Sequence, residues 1–297
     1  MQKVTKIKQA VIITAYKNYN HLEEIVNFFD ANFELYIHID KKSDISDVEL
    51  RKLRNYKIVK LVTQKYKVNW GGINHLKSIL NLTEEAFKNK EIKYFHLISG
   101  HDFPIKKRSW FLEFFKNNDS QYLEYFDIPN VGAADNGYMD RIEFYNFYDL
   151  LNAKNEKQNR IIRRLIKIQK KLGFKRKISV KMPKPYGGST WWSLSRDCVG
   201  YVLEFTKKNK FVLNRFKHTL CSEEFYFQTI IMNSPFADKV INNNLRHIDW
   251  IARNGNNPAI LDETDYVKLV ESNAAFARKF EYPKSIELLE KIKSIIK

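Results

Sequence analysis

A chain of 297 residues, 44% hydrophobic and 14% aromatic, is long enough to bury a large core. Its only cysteines, Cys198 and Cys221, lack ligand-like spacing and exclude a disulfide framework and a structural zinc site, and no apolar run reaches the roughly 18 residues of a membrane-spanning helix. The net charge is +17, but residues 154–184 carry thirteen Lys/Arg against one acid, Glu156, which points to one basic element facing an anionic partner and away from a surface that coats nucleic acid.

In chain order, residues 1–16 combine a basic start with an apolar run too short for a signal peptide, and AVIITAY (10–16) reads as a first strand. Residues 18–29 place Leu22, Val26 and Phe29 at helical spacing, and FELYIHID (33–40) alternates as a strand does. A strand over 56–62, a helix over 72–87 (Ile73, Leu76, Ile79, Leu80, Leu82, Phe87) and a strand over 94–99 follow. This β-α alternation predicts an α/β fold with a mostly parallel central sheet flanked by helices. Ligands of such sheets bind at the carboxyl ends of the strands, where Asp40, Asp102 and the Trp70-Gly71-Gly72 turn fall. No Gly/Ser- or Pro-rich tract divides the chain, so residues 1–297 are expected to form one elaborated domain. Two halves, about 1–120 and about 121–297, are expected within it, with a basic helical insertion at about 154–184.

Residues 121–150 are dense in aromatics and read either as a core layer or as a sugar-binding wall. Residues 154–172 read as a basic amphipathic helix with Ile161, Leu165, Ile168 and Leu172 along one stripe, ended by Pro183 and Pro185. Such a helix either lies on an anionic membrane surface or packs its stripe on the rest of the protein. Residues 186–194 return to strand, with Trp191 and Trp192 expected to face in and out by alternation, and residues 196–205 return to helix.

Several chemistries lack their residues. There is no G-x-S-x-G elbow and neither cysteine is linked to a histidine by a motif; there is no dinucleotide fingerprint or P-loop. The seven histidines are scattered, and no D-x-D is present to hold a divalent cation against a diphosphate. No metal site and no cofactor are therefore expected, and an enzyme of this sequence handling a nucleotide diphosphate must neutralise it with fixed cations.

Seven stretches, IHIDKKSD (37–44), VNWGG (68–72), YFHLISGHDFPIK (94–106), YGGSTWWSLSRDCVGYVL (186–203), SEEFYFQTII (222–231), LRHIDW (245–250) and AFARKF (275–280), resemble in order the core-2/I-branching β-1,6-N-acetylglucosaminyltransferase family, which has compact soluble bacterial members. The resemblance runs from about residue 10 to 280 and implies a nucleotide-sugar-binding half at about 1–120 and an acceptor-binding and catalytic half at about 121–297. It implies a GT-A-like fold and inverting, metal-independent transfer of a sugar, N-acetylglucosamine first and galactose, glucose or xylose as alternatives, from a UDP-sugar to a glycan acceptor. Bacterial surface polysaccharide or glycoconjugate synthesis would be the setting, with a lipid-linked acceptor and a cytoplasmic location at the inner face of a membrane.

By the same resemblance Glu224 is the catalytic base. The family's Pro-Asp-Glu is Ser222-Glu223-Glu224 here, which leaves Glu223 as the alternative. Lys279 matches the phosphate-binding lysine, and a second cation is either Arg253 or Arg278. Asp40 matches a residue that contacts the uracil. Asp102 would bond the donor sugar or merely brace its turn, Glu124 and Trp250 match acceptor-cleft positions, and Trp191 and Trp192 pack beneath the cleft. Two other readings compete. A nucleic-acid-binding protein would interleave basic and aromatic residues on one face, and a glycoside hydrolase would use two carboxylates but have no need of Arg278 and Lys279.

Overall fold

The computed structural model describes residues 8–296; the basic start of the chain, residues 1–7, lies outside them. The strands in order are β1 (Lys8–Ala15), β2 (Phe33–Ile39), β3 (Val59–Thr63), β4 (Ile92–Ser99), β5 (Asp102–Pro104), β6 (Gln121–Asp127), β7 (Tyr186–Ser195), β8 (Val240–Ile241), β9 (Arg246–Ile248) and β10 (Phe276–Arg278). Seven form one sheet in the order β3-β2-β1-β4-β7-β6-β8, and the others form a small sheet, β5-β10-β9. β3, β2, β1 and β4 are parallel. β7 then runs antiparallel to both β4 and β6. The expected α/β class, with a mostly parallel sheet between helices, is the one observed.

β1 and β2 are buried along almost their whole length because helices cover both faces, which is why they read as continuous apolar runs. Alternation decides which layer each side chain joins. Val11 and Ile13 join the layer containing helix Tyr19–Phe28, the small sheet and helix Ile286–Ile296. Ala10 and Ile12 join the layer containing helices Ile73–Phe87, Arg196–Lys208 and Tyr226–Met232. Trp191 and Trp192 do point to opposite faces, Trp192 onto Phe227 with ring centroids 5.0 Å apart and Trp191 beneath Arg278. Neither faces outward, since both are buried in a sheet covered on both sides.

The small sheet is pinned to the large one by Arg246. Its guanidinium donates to Ser193 Oγ at 2.9 Å, to the carbonyl of Leu97 at 2.7 Å and to that of Trp192 at 2.9 Å. Burial pulls this arginine down to about 9, so it is retained against a desolvation cost by three bonds to two strands, β4 and β7. Other boundaries differ from expectation. The strand expected at 56–62 starts at Val59 because a helix, Asp47–Asn55, opened by a Ser46/Glu49 capping box, runs up to its C-cap at Tyr56. In the aromatic segment, Phe144 and Tyr148 are buried, as a core layer requires. The basic helix spans Glu156–Lys171 and ends at Gly173, well before the prolines. It buries Ile162 and Gln169 instead of the expected stripe.

Candidate active site

Two clusters of charged residues form at the carboxyl ends of the parallel strands. The first begins where β4 ends. Asp102 is fully buried; its Oδ2 accepts from the Ser99 N–H at 2.5 Å and from the Ser99 hydroxyl. β10 runs antiparallel to β5 with Arg278 opposite Asp102, so a residue from the end of the chain arrives at the tip of β4. Arg278 Nε lies 3.6 Å from Asp102 Oδ1, and its guanidinium stacks 4.2 Å above the Trp191 ring. Neither Arg278 Nε nor Asp102 Oδ1 has a hydrogen-bond partner. Burial holds Arg278 below its ordinary value against the pull of Asp102. Lys279 is lowered by burial and then by the repulsion of Arg278. Two adjacent shielded cations, opposed by Asp102 and, at Lys279, by Glu281 as well, form a positively charged cluster suited to an anion.

The second cluster is built around a 3₁₀ turn, Ser222–Glu224, entered through Cys221 at φ 53, ψ 54, a left-handed conformation that costs a non-glycine residue about 1 kcal/mol. The turn is held by Cys221 N–H on the Gly71 carbonyl at 3.0 Å and Leu220 N–H on the Arg141 carbonyl at 3.1 Å. Gly71 belongs to the Trp70-Gly71-Gly72 turn. At Gly72 a Cβ would stand 2.5 Å from Asp149 Oδ1, so glycine is required for Asp149 to reach the start of helix Ile73–Phe87, where it accepts from the N–H groups of Ile73 (3.1 Å) and Asn74 (3.3 Å). This fixes His75, whose Nδ1 lies 3.0 Å from Glu223 Oε1 and whose Nε2 lies 3.2 Å from Thr14 Oγ1.

Glu223 is thereby turned inward, with only 8% of its side chain exposed, whereas 34% of the Glu224 side chain is open. Glu224 Oε2 accepts from Arg141 Nη1 at 3.1 Å. Burial of its carboxyl, and then the neighbouring Glu223, push Glu224 up to about 7 in spite of Arg141 and His75. A carboxylate poised there is suited to taking a proton near neutral pH. Thr14, near the tip of β1, joins the two clusters: its hydroxyl meets His75, and its carbonyl accepts from Gly100 N–H at 2.9 Å.

The remaining candidates are placed as follows. Asp40, just past β2, accepts at Oδ1 from the N–H groups of Lys42 (3.0 Å) and Val68 (3.1 Å), while Oδ2 has Lys42 Nζ at 3.6 Å; it braces two loops at the carboxyl end of β2. Arg253 is held by Asp265 at 2.6 Å, Asp262 at 2.9 Å and Asp249 at 3.5 Å, so its charge is already matched by acids, unlike that of Arg278. Glu124 is exposed at the point where β6 and β7 slip register, and Asn244 donates to its Oε2 at 3.1 Å. Trp250 is 65% exposed, two residues beyond Ile248, which pairs with Arg278. Sequence reasoning missed Thr14, His75 and Arg141. His75 had one weak signal, its place in the first turn of a helix behind a strand-end turn; Arg141 had none. Among the described residues no group of three or more His, Cys, Asp or Glu converges as metal ligands would.

A family model described as Core-2/I-Branching enzyme matches residues 10–267. Xylosyltransferase 2 of Canis lupus familiaris is 26% identical over 275 residues, covering 86% of this chain and 29% of that protein. Beta-glucuronosyltransferase GlcAT14A of Arabidopsis thaliana is 37% identical over 99 residues, 33% of this chain and 22% of that protein. The chain thus spans less than a third of the length of these curated relatives. Among solved structures, S. aureus TarS 1-349 aligns over 79% of this chain and 57% of that chain, with 13% identity and a TM-score of 0.39.

Proposed function

Because the chain belongs to the Core-2/I-branching enzyme family, we propose that it is an inverting glycosyltransferase that moves a sugar from a UDP-sugar to a hydroxyl of a glycan acceptor. The reading is carried by the shielded Arg278–Lys279 pair, in which Asp102 approaches Arg278 only to 3.6 Å without a hydrogen bond to its Nε. A diphosphate bound there has its developing negative charge met by groups already in place. That charge supply, with Asp102 committed to Ser99 and Arg278, supports transfer without a metal ion.

In the reaction the Glu224 carboxylate takes the acceptor hydroxyl's proton as that oxygen bonds to the anomeric carbon, on the face opposite the diphosphate. The anomeric carbon–oxygen bond to UDP breaks, and its electron pair stays on the phosphate oxygen beside Lys279 and Arg278. Glu223 is occupied by His75 and serves to hold the turn. Trp250 offers an apolar face to a pyranose ring and Glu124 accepts sugar hydroxyls. Asp40 Oδ2 faces the base of the nucleotide.

N-acetylglucosamine as the donor sugar rests on the resemblance of the sequence blocks. A second reading, xylose, is favoured by the xylosyltransferase match across 86% of the chain. Thermal-shift and calorimetric titration with UDP-N-acetylglucosamine, UDP-xylose and UDP-glucuronic acid in excess EDTA, followed by proton NMR of the product, tests the proposal. Binding in EDTA and an inverted anomer are expected. A requirement for manganese, or a retained anomer, overturns the mechanism.

A further inference from the structure

The basic helix Glu156–Lys171 is locked in rotation by Gln169, which accepts from Tyr145 N–H at 2.8 Å and donates to the Tyr145 carbonyl at 3.0 Å. Ile162 is buried beside it. With that face fixed inward, Ile161, Ile168 and Leu172 stand 48%, 44% and 74% exposed. At ~100° per residue these three share a narrow arc. Lys157, Arg164 and Lys171 form the adjoining row, and Arg160 and Lys167 the next. All five are exposed.

The chain beyond the helix continues the pattern. Arg176 folds inward onto the carbonyls of Ile142 and Arg215, so the segment is anchored while Phe174, Ile178 and Val180 are left exposed among exposed Lys175, Lys177 and Lys181. Lys170 and Lys175 are neutralised by Asp140 and Glu143. Among the described residues Lys157, Arg160, Arg164, Lys167 and Lys171 have no ion-pair partner.

We propose that this face docks on an anionic lipid bilayer, with Ile161, Ile168, Leu172, Phe174 and Val180 entering the headgroup–acyl boundary and the lysine and arginine rows resting on the lipid phosphates. Charge complementarity and the apolar stripe are both needed for this occupant: a polyanion in water uses the cations but gives no partner to the stripe. The surface adjoins the candidate active site, since Lys154 Nζ lies 5.0 Å from the Tyr16 ring and that ring packs 5.2 Å from His101. Docking sets the cleft beside acceptors carried in the membrane.

The experiment is co-sedimentation with vesicles of phosphatidylglycerol and phosphatidylcholine, with pure phosphatidylcholine vesicles as the comparison. Each cation at an anionic surface raises affinity about fivefold, so replacing Arg160, Arg164, Lys167 and Lys171 by Gln lowers affinity several hundredfold. Replacing Ile161, Ile168 and Leu172 by Ser lowers it at least about tenfold. Both variants keep the thermal midpoint and UDP affinity of the parent, because the changed side chains are exposed. Failure of the parent protein to sediment with anionic vesicles at low salt overturns the proposal. Undiminished vesicle binding by the serine variant reduces the face to a polyanion surface and also overturns it. A dimer in solution that the serine variant dissociates assigns the stripe to a second copy and does the same.

Discussion

Glu223 and Glu224 are neighbours with the same side chain, and one 3₁₀ turn gives them different surroundings. The resemblance names Glu224 as the base with Glu223 as the alternative, and what the sequence does not show is how their surroundings differ, which depends on His75, 148 residues from Glu223, and on Arg141, 83 residues from Glu224. Glu223 and Arg141 act on Glu224 in opposite directions, which gives a pH test. The active carboxylate is populated above about 7, so kcat rises with pH through that value and falls away below it. Glu223→Gln removes a repelling neighbour and moves this limb to lower pH. Arg141→Gln removes the cation that favours the carboxylate and moves it to higher pH. Glu224→Gln loses at least about 100-fold in kcat with UDP affinity unchanged. A larger loss in Glu223→Gln than in Glu224→Gln would exchange their roles.

Strands and helices were legible where burial is one- or two-sided along a whole element: β1, β2, β4 and helix Ile73–Phe87 lie close to where alternation and 3.6-residue spacing put them. What the pattern did not show is how elements are oriented by single polar bonds. The stripe Ile161–Leu165–Ile168–Leu172 had the right spacing, yet Gln169 turns the helix so that Ile162 packs instead. Likewise Gly188 lies where the β6–β7 pairing slips, and a Cβ there would stand 1.8 Å from the Glu124 carbonyl oxygen. A glycine in a strand hints at such an approach without naming its partner. Asp149 performs the same kind of service for helix Ile73–Phe87 by binding two of its free N–H groups. Asp149→Ala should cost about 1 kcal/mol of stability in chemical denaturation and, by loosening His75, reduce kcat more than the donor KM. An unchanged denaturation midpoint would remove Asp149 from this role.

At the scale of the whole molecule, β-α alternation revealed the parallel half of the sheet, but not the return of β10 to β5, which sets Arg278 opposite Asp102 across 176 residues of chain. No local signal encodes that pairing; the resemblance of Phe276-Ala277-Arg278-Lys279-Phe280 to a family block points to the two cations and not to the strand they meet. Lys279→Ala should weaken UDP binding measured by calorimetry by at least about tenfold, the scale of one lost charge-assisted contact. Unchanged affinity would make Lys279 structural. The same pair has a kinetic cost. Cations that are poorly matched when empty would bind a leaving diphosphate well. Spent nucleotide would then compete with fresh donor, and output would follow the ratio of UDP-sugar to UDP in the surroundings. UDP is expected to inhibit competitively with a Ki below the donor KM, and adding a nucleoside diphosphatase to the assay should straighten a progress curve that otherwise bends early.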